Sequence, residues 1–180
     1  MIQDALSEAV SALPAGRVPK GFQAQARALG GRGKTPAARL SAQFGVTERT
    51  ARKWIAGGAP SKANRARVER AIQDVAHQRR LDRARELALA GGLRIETRAR
   101  FGYLAPAGTS NDPRLRRITA TMGKQFIGPL FQAYSQGNEE AMNRVVANGI
   151  LYDYFKDGGR RAHDLDVVFE DIDYVEMEIQ

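Results

Sequence analysis

The stretch ELALAGGLRIETRAR, Glu86 to Arg100, decides the fold class. Upstream of it, Val68, Ile72, Val75 and Ala76 recur at helical spacing, with arginines crowding the other faces. That pattern predicts a basic helix over about 61–90, opened after Pro60 and stopped at Gly91-Gly92. Beyond the glycines, Leu93, Ile95, Thr97 and Ala99 alternate with Arg94, Glu96, Arg98 and Arg100, the period of a half-buried strand. A change of period at a glycine pair is where one kind of module ends and another begins. The chain is therefore expected to be α+β: an all-helical module over 1–90, then a module of strands and helices over 93–180.

Working outward, short helices are expected over about 2–13, 21–29, 36–44 and 48–56, punctuated by Pro14, Gly16, Gly30-Gly31 and Gly57-Gly58. Pro36 suits a first helical turn. On the other side, RLRRITATM reads as a second strand, and 124–156 as helix in two pieces hinged near Gly137-Asn138. At the end, Val175, Met177 and Ile179 alternate against Glu176 and Glu178, a return to strand.

Composition narrows the function. There is no cysteine, which excludes disulfides, thiolate metal sites and a cysteine nucleophile, and His77 and His163 lack zinc spacing. No apolar run approaches a membrane span, so a cytoplasmic protein with no membrane partner is expected. The net charge of +8 is unevenly placed. Residues 1–100 carry 20 Lys and Arg against 8 Asp and Glu, whereas residues 101–180 carry 8 against 12. A basic half joined to an acidic half points to a polyanion-binding module attached to something else, with nucleic acid as the polyanion.

AARLSAQFGVTERTARKWIA, residues 37–56, has the layout of a helix-turn-helix. Gly45 is the turn glycine, Leu40, Phe44, Val46 and Trp54 face inward, and Thr47 caps the second helix. Thr47, Glu48, Arg49, Arg52 and Lys53 are then left pointing outward, and Thr47, Arg49, Arg52 and Lys53 are the candidate DNA contacts. Two packed helices with basic exposed faces would give the same pattern. On the basic helix behind them, Arg65, Arg79 and Arg80 are candidates for phosphate contact, against the alternative of a solvated helix with internal pairs such as Arg65–Glu69.

The loop between the two predicted strands, APAGTSNDP, holds Thr109 and Ser110 side by side. Hydroxyls beside Gly, Asn and Asp are ordinarily turn formers, and no His or Lys lies nearby to act as base. If one of them attacks anything, the catalytic metals come from a partner. In DGGRRAHDLDV, Arg160, Arg161 and His163 read either as phosphate contacts or as a turn feeding a strand. The acidic tail, with seven carboxylates from Asp164 to Glu178, reads as strands with a solvated face rather than a metal site.

ETRARFGYLAPAGTSNDPRLRRIT, followed downstream by YFKDGGRRAHDLDVVFEDIDYVEMEI, closely resembles the telomere-protecting terminal proteins of linear actinobacterial chromosomes and plasmids. GKTPAARLSAQFGVTERTARKWIAGG follows the same family more loosely, and the N-terminal helices fit least. The resemblance implies a protein that binds DNA and becomes covalently linked to the 5′ ends of a linear replicon. It would prime end-patching synthesis at the 3′ overhang with a side-chain hydroxyl. The linked threonine of the family carries over to Thr109, with Ser110 second and Thr119 and Thr121 further back. The implied partners are telomeric DNA (single-stranded overhang, duplex or both), a telomere-associated recruiting protein and a DNA polymerase. The implied location is the nucleoid or the linear plasmid ends. No cofactor is expected on this chain. A divalent metal belongs to the polymerase, the deoxynucleotide is a covalent adduct, and the chain is a primer, not a turnover enzyme.

Two other functions fit parts of the sequence. A helix-turn-helix transcriptional regulator or plasmid partition protein needs the basic module but no reactive hydroxyl. A self-sufficient nucleotidyltransferase would need a nucleotide-cradling glycine loop or paired metal carboxylates, and the sequence has neither in recognisable form.

Overall fold

The computed structural model describes residues 1–14, 16–33, 35–104, 114–156 and 166–180. It is α+β, mostly helical, with seven α-helices, one π-helical turn and a three-stranded antiparallel sheet among the described residues. In chain order these are α1 (Ile2–Ala12), α2 (Phe22–Gly30), α3 (Pro36–Phe44), α4 (Glu48–Ile55) and α5 (Lys62–Gly91). Then come β1 (Leu93–Leu104), β2 (Arg114–Met122), α6 (Lys124–Ser135), α7 (Glu139–Ile150), the π turn Leu151–Phe155 and β3 (Asp166–Ile179).

The compact units do not follow the expected boundary near Gly91. One comprises Pro14–Arg80; the other joins Met1–Leu13 to Leu81–Gln180. The reason lies in the apolar faces. Ile2, Leu6 and Val10 of α1 are buried in the same cluster as Leu93, Ile95 and Phe101, and so are Ala84 and Ala88 from the end of α5. A short helix cannot stand alone and joins whichever core covers its apolar stripe. The N-terminal helix and the last turns of α5 therefore belong with the strands, and the helical unit is shorter than 1–90.

In the unit Pro14–Arg80, α2, α3, α4 and the first part of α5 surround a small core of Ala26, Leu40, Phe44, Ala51, Trp54 and Val68. The Trp54 ring meets Phe22 and Phe44 edge-on, at centroid distances of 5.5 and 6.0 Å. In the other unit the sheet order is β2-β1-β3, with β1 central. Its register runs from Leu93 opposite Met122 to Phe101 opposite Arg114, and from Leu93 opposite Ile179 to Leu104 opposite Asp166. Bulges in the β1–β3 pairing follow Arg98 and Arg100.

Leu93, Ile95, Thr97, Ala99 and Phe101 are buried and their neighbours Arg94, Arg98 and Arg100 are exposed, so the alternation in sequence is the alternation of the pleat. The Thr97 hydroxyl donates to the Tyr174 carbonyl at 2.8 Å, which satisfies the one polar side chain buried within β1. Gly149 is buried on α7, where a Cβ would come within 2.9 Å of the Met122 side chain on β2. That explains a glycine in the last turn of α7, although within a helix glycine costs about 1 kcal/mol relative to alanine.

Helix α1 is held by a carboxylate from the distant α7. Glu139 accepts from the backbone N–H of Ile2 at 2.7 Å and of Gln3 at 3.2 Å, capping two of the unsatisfied donors of the first turn. Glu139→Ala is expected to lower the stability of this unit by about 1–3 kcal/mol, since the acceptor is charged. Urea denaturation followed by circular dichroism checks it. An unchanged midpoint would show that α1 docks through its apolar face alone.

Candidate nucleic-acid interface

Helices α3 and α4 are joined by a tight turn whose geometry follows from three residues. Gly45 closes α3 in the left-handed conformation, at φ 64°, and its N–H donates to the Ser41 carbonyl at 2.9 Å. The Ser41 hydroxyl donates to the Val46 carbonyl at 2.5 Å and ties the far side of the turn. Thr47 then caps α4: its Oγ1 accepts from the Thr50 N–H at 3.2 Å. Glu48 lies in the first turn of α4 and Arg52 and Lys53 in the last, the distribution the helix dipole favours. At the other end, the Arg27 Nε donates to the Ile55 carbonyl at 3.0 Å and the Gln23 amide donates to it at 3.2 Å. Both ends of α4 are therefore fixed by neighbours on α2 and α3.

The inward face of α4 is Ala51 and Trp54, both buried; Thr47, Glu48, Arg49, Arg52 and Lys53 are exposed. All four candidate contacts of this region are thus exposed, with Arg49, Arg52 and Lys53 on the side of α4 away from Ala51 and Trp54. Ala51 is small because its position is fully enclosed. Arg52 pairs with Glu48 at 2.7 Å, an exposed pair one helical turn apart that leaves the guanidinium near the surface and exchangeable. On α5, Arg65 and Arg79 are exposed, whereas Arg80 is half-buried and its Nε has no hydrogen-bond partner among the described residues. Arg80 is thus less available for phosphate contact than its sequence neighbour. Arg67 sits over the Phe44 ring, 5.6 Å from its centre, and so has a packing role in this unit.

The unit boundaries sharpen the charge argument. Pro14–Arg80 carries 15 Lys and Arg against 3 Asp and Glu, a balance of +12 on 67 residues, while the rest of the chain is at −4. The positive charge is a property of the unit that carries α4.

Thr109 and Ser110 lie outside the described residues, as do Arg160, Arg161 and His163. Of the remaining hydroxyls, Thr119 and Thr121 are exposed on β2, and the Thr121 N–H donates to Asp153 at 2.8 Å. Among the described residues no group of three or more His, Asp and Glu is placed to hold a metal ion, and no helix is long and apolar enough to cross a membrane.

Sequence reasoning missed the residues that position α4, namely Gln23, Arg27 and Ser41. A polar residue that caps a distant carbonyl leaves no periodic trace. It also passed over the arginines of β1 and β2, which only strand pairing brings together. Comparison with models of known families, with curated proteins and with solved structures found no match to this chain.

Proposed function

We propose that this chain is a terminal protein of a linear replicon: it binds DNA, is joined through the Thr109 hydroxyl to a 5′ end, and primes end-patching synthesis at the 3′ overhang. The observation that carries the reading is the long two-part resemblance of residues 96–119 and 154–179 to that family. Those two stretches, distant in sequence, supply most of β1 and β2 and all of β3, the three strands of one sheet. Shared sequence concentrated on one structural element supports a common role for it. In the same reading α3 and α4 form a helix-turn-helix, and Thr47, Arg49, Arg52 and Lys53 meet the DNA, with Arg65 and Arg79 on flanking phosphates.

The chemistry is nucleotidyl transfer. The Thr109 Oγ attacks the α-phosphorus of a deoxynucleoside triphosphate, an O–P bond forms, the bond to pyrophosphate breaks, and the hydroxyl proton passes to solvent or to a base of the polymerase. A threonine hydroxyl is a weak nucleophile, so the divalent metals expected in the polymerase supply the charge stabilisation. What this chain contributes is the hydroxyl and its delivery. Its place in the cell is then the end of the replicon, brought there by a recruiting protein that recognises the telomere.

The test is mass spectrometry of the protein purified from its native cells under denaturing conditions, then digested with nuclease and protease. A nucleotide on the peptide containing Thr109 is expected. An unmodified peptide map, with replicon 5′ ends free of protein, would overturn the covalent reading. A second reading, a DNA-binding regulator or partition protein, is favoured by α3 and α4 alone, which need no hydroxyl. Raised salt separates the two: phosphate-based binding is lost, a covalent bond is not.

A further inference from the structure

The two edges of the sheet are not alike. On β2, Thr121 lies opposite Arg94 and turns its N–H outward to the Asp153 carboxylate, so that edge is capped there. Arg94 therefore turns its own backbone groups toward β3 and Glu178. At the end of β3 the Gln180 N–H donates to the Gly92 carbonyl at 3.1 Å, in the same phase. The register is regular from Leu93 opposite Ile179 to Arg98 opposite Tyr174, so Val175, Met177 and Ile179 turn their N–H and C=O groups away from β1. None of those groups has a hydrogen-bond partner among the described residues.

A groove runs beside this free edge. It measures about 310 Å³ and is lined by Ala5, Glu8, Ala9 and Ala12 of α1 and by Glu176 and Met177 of β3. The four α1 residues fall at i, i+3, i+4 and i+7, one face of the helix. They span about 10 Å of its axis, room for about three extended residues. The side chains of Val175, Met177 and Ile179 are half-buried against the core cluster, whereas Glu176 and Glu178 are exposed on the other face of the strand.

Charge selects the occupant. Neither α1 nor β3 carries a Lys or Arg. Glu178 is paired with Arg94, but Glu8 and Glu176 have no ion-pair partner among the described residues. One free carboxylate thus stands on the helix and another on the strand, and both repel a nucleic-acid backbone. An extended segment that adds a strand to an open edge gains main-chain hydrogen bonds and sends alternate side chains to its two sides. Here one side is small and apolar and the other is anionic.

We propose that the β3 edge and the groove beside α1 bind an extended basic segment of a partner protein, in which Lys or Arg alternates with small apolar residues. Its backbone pairs with Val175, Met177 and Ile179. Its small residues lie against Ala5, Ala9 and Met177. Its basic side chains meet Glu176, and Glu8 at the rim of α1 adds to the field they enter. The assignment does not depend on covalent chemistry and is separate from the contacts of α4.

The test uses the full chain and a short fluorescein-labelled peptide alternating lysine and valine. Binding followed by anisotropy is expected to weaken about tenfold or more in Glu176→Lys, and by a similar factor in Glu8→Lys. Both side chains are exposed, so the fold is expected to survive either change. Glu140→Lys, which alters the charge equally but lies outside the groove, is the control and is expected to bind as the parent does. Amide hydrogen exchange followed by NMR gives the geometry. Saturating peptide is expected to slow exchange at Val175, Met177 and Ile179 and to leave Tyr174, Glu176 and Glu178, which already face β1, unchanged. No binding of the peptide, binding that leaves those three amides exchanging as in the free chain, or an equal loss in the Glu140 control would each overturn the proposal. So would a concentration-dependent dimer in sedimentation that Glu176→Lys abolishes, which would give the edge to a second copy of this chain.

Discussion

Thr109→Ala is expected to remove essentially all covalent attachment of nucleotide to the chain. The reading assigns the bond-forming oxygen to that one side chain, and no geometry of the partner's metals replaces a missing nucleophile. Incubating the protein with telomeric template, its polymerase and a labelled deoxynucleotide, then resolving the products under denaturing conditions, measures it. Thr109→Ser is expected to keep much of the label, because serine presents a hydroxyl at the same backbone position. Ser110→Ala is expected to behave as wild type. The reverse pattern, with label lost on Ser110→Ala and retained on Thr109→Ala, would keep the function and move the site by one residue. Label absent from the wild-type chain would remove protein priming altogether and leave a DNA-binding regulator. An unchanged thermal melt would separate loss of the nucleophile from loss of the fold.

Much of the architecture was legible because it rests on periodicity. The strand alternation of Leu93, Ile95, Thr97 and Ala99 appears as buried residues on β1, and the turn at Gly45 has the positive φ its glycine suggested. Pro36 opens α3, Thr47 caps α4, and Gly137-Asn138 separates α6 from α7, all as local chemistry predicts. The division into units was not legible at that level. The stripe of Ile2, Leu6 and Val10 says that α1 is amphipathic, not which core it covers, and Glu139 is too remote in sequence to betray its role as a cap. Nor does a continuous helix such as α5 announce that its two ends serve different cores.

The candidate sites divide in the same way. The outward set on α4 followed from a single helical period anchored by Trp54, so four residues were placed together by arithmetic alone. The arginines of the hairpin needed the register. In sequence Arg98 and Arg117 are far apart and each looks like a solvated charge; only the pairing puts them opposite each other. Arg80 shows the converse. It reads as one of many exposed arginines, yet it is half-buried. Loop chemistry around Thr109 has no period at all, and its assignment rests on resemblance to a family rather than on physics.

Arg49→Ala with Arg52→Ala is expected to weaken duplex binding by on the order of a hundredfold, without loss of stability. A bidentate arginine contact to a base edge is worth about 1–3 kcal/mol, so two such losses amount to roughly thirtyfold at least. Folding is spared for three reasons. Both side chains are exposed, alanine is the strongest helix former, and the Arg52–Glu48 pair contributes about 1 kcal/mol or less in water. Glu48 left behind still lies in the first turn of α4, where the helix dipole favours a carboxylate. The loss therefore has to be in the DNA contact itself. Anisotropy with duplexes of varied sequence shows which kind of contact it was. Relaxed preference at particular positions would assign the arginines to base edges. A uniform fall across sequences, with a salt slope reduced by about 2, would assign them to phosphates. Labelling at Thr109 is expected to survive when enough template and polymerase are supplied, because the proposed role of α4 is to hold DNA and not to supply the hydroxyl. Binding as tight as wild type would take the duplex away from α4 and give the positive charge of Pro14–Arg80 to other residues, Arg65 and Arg79 first.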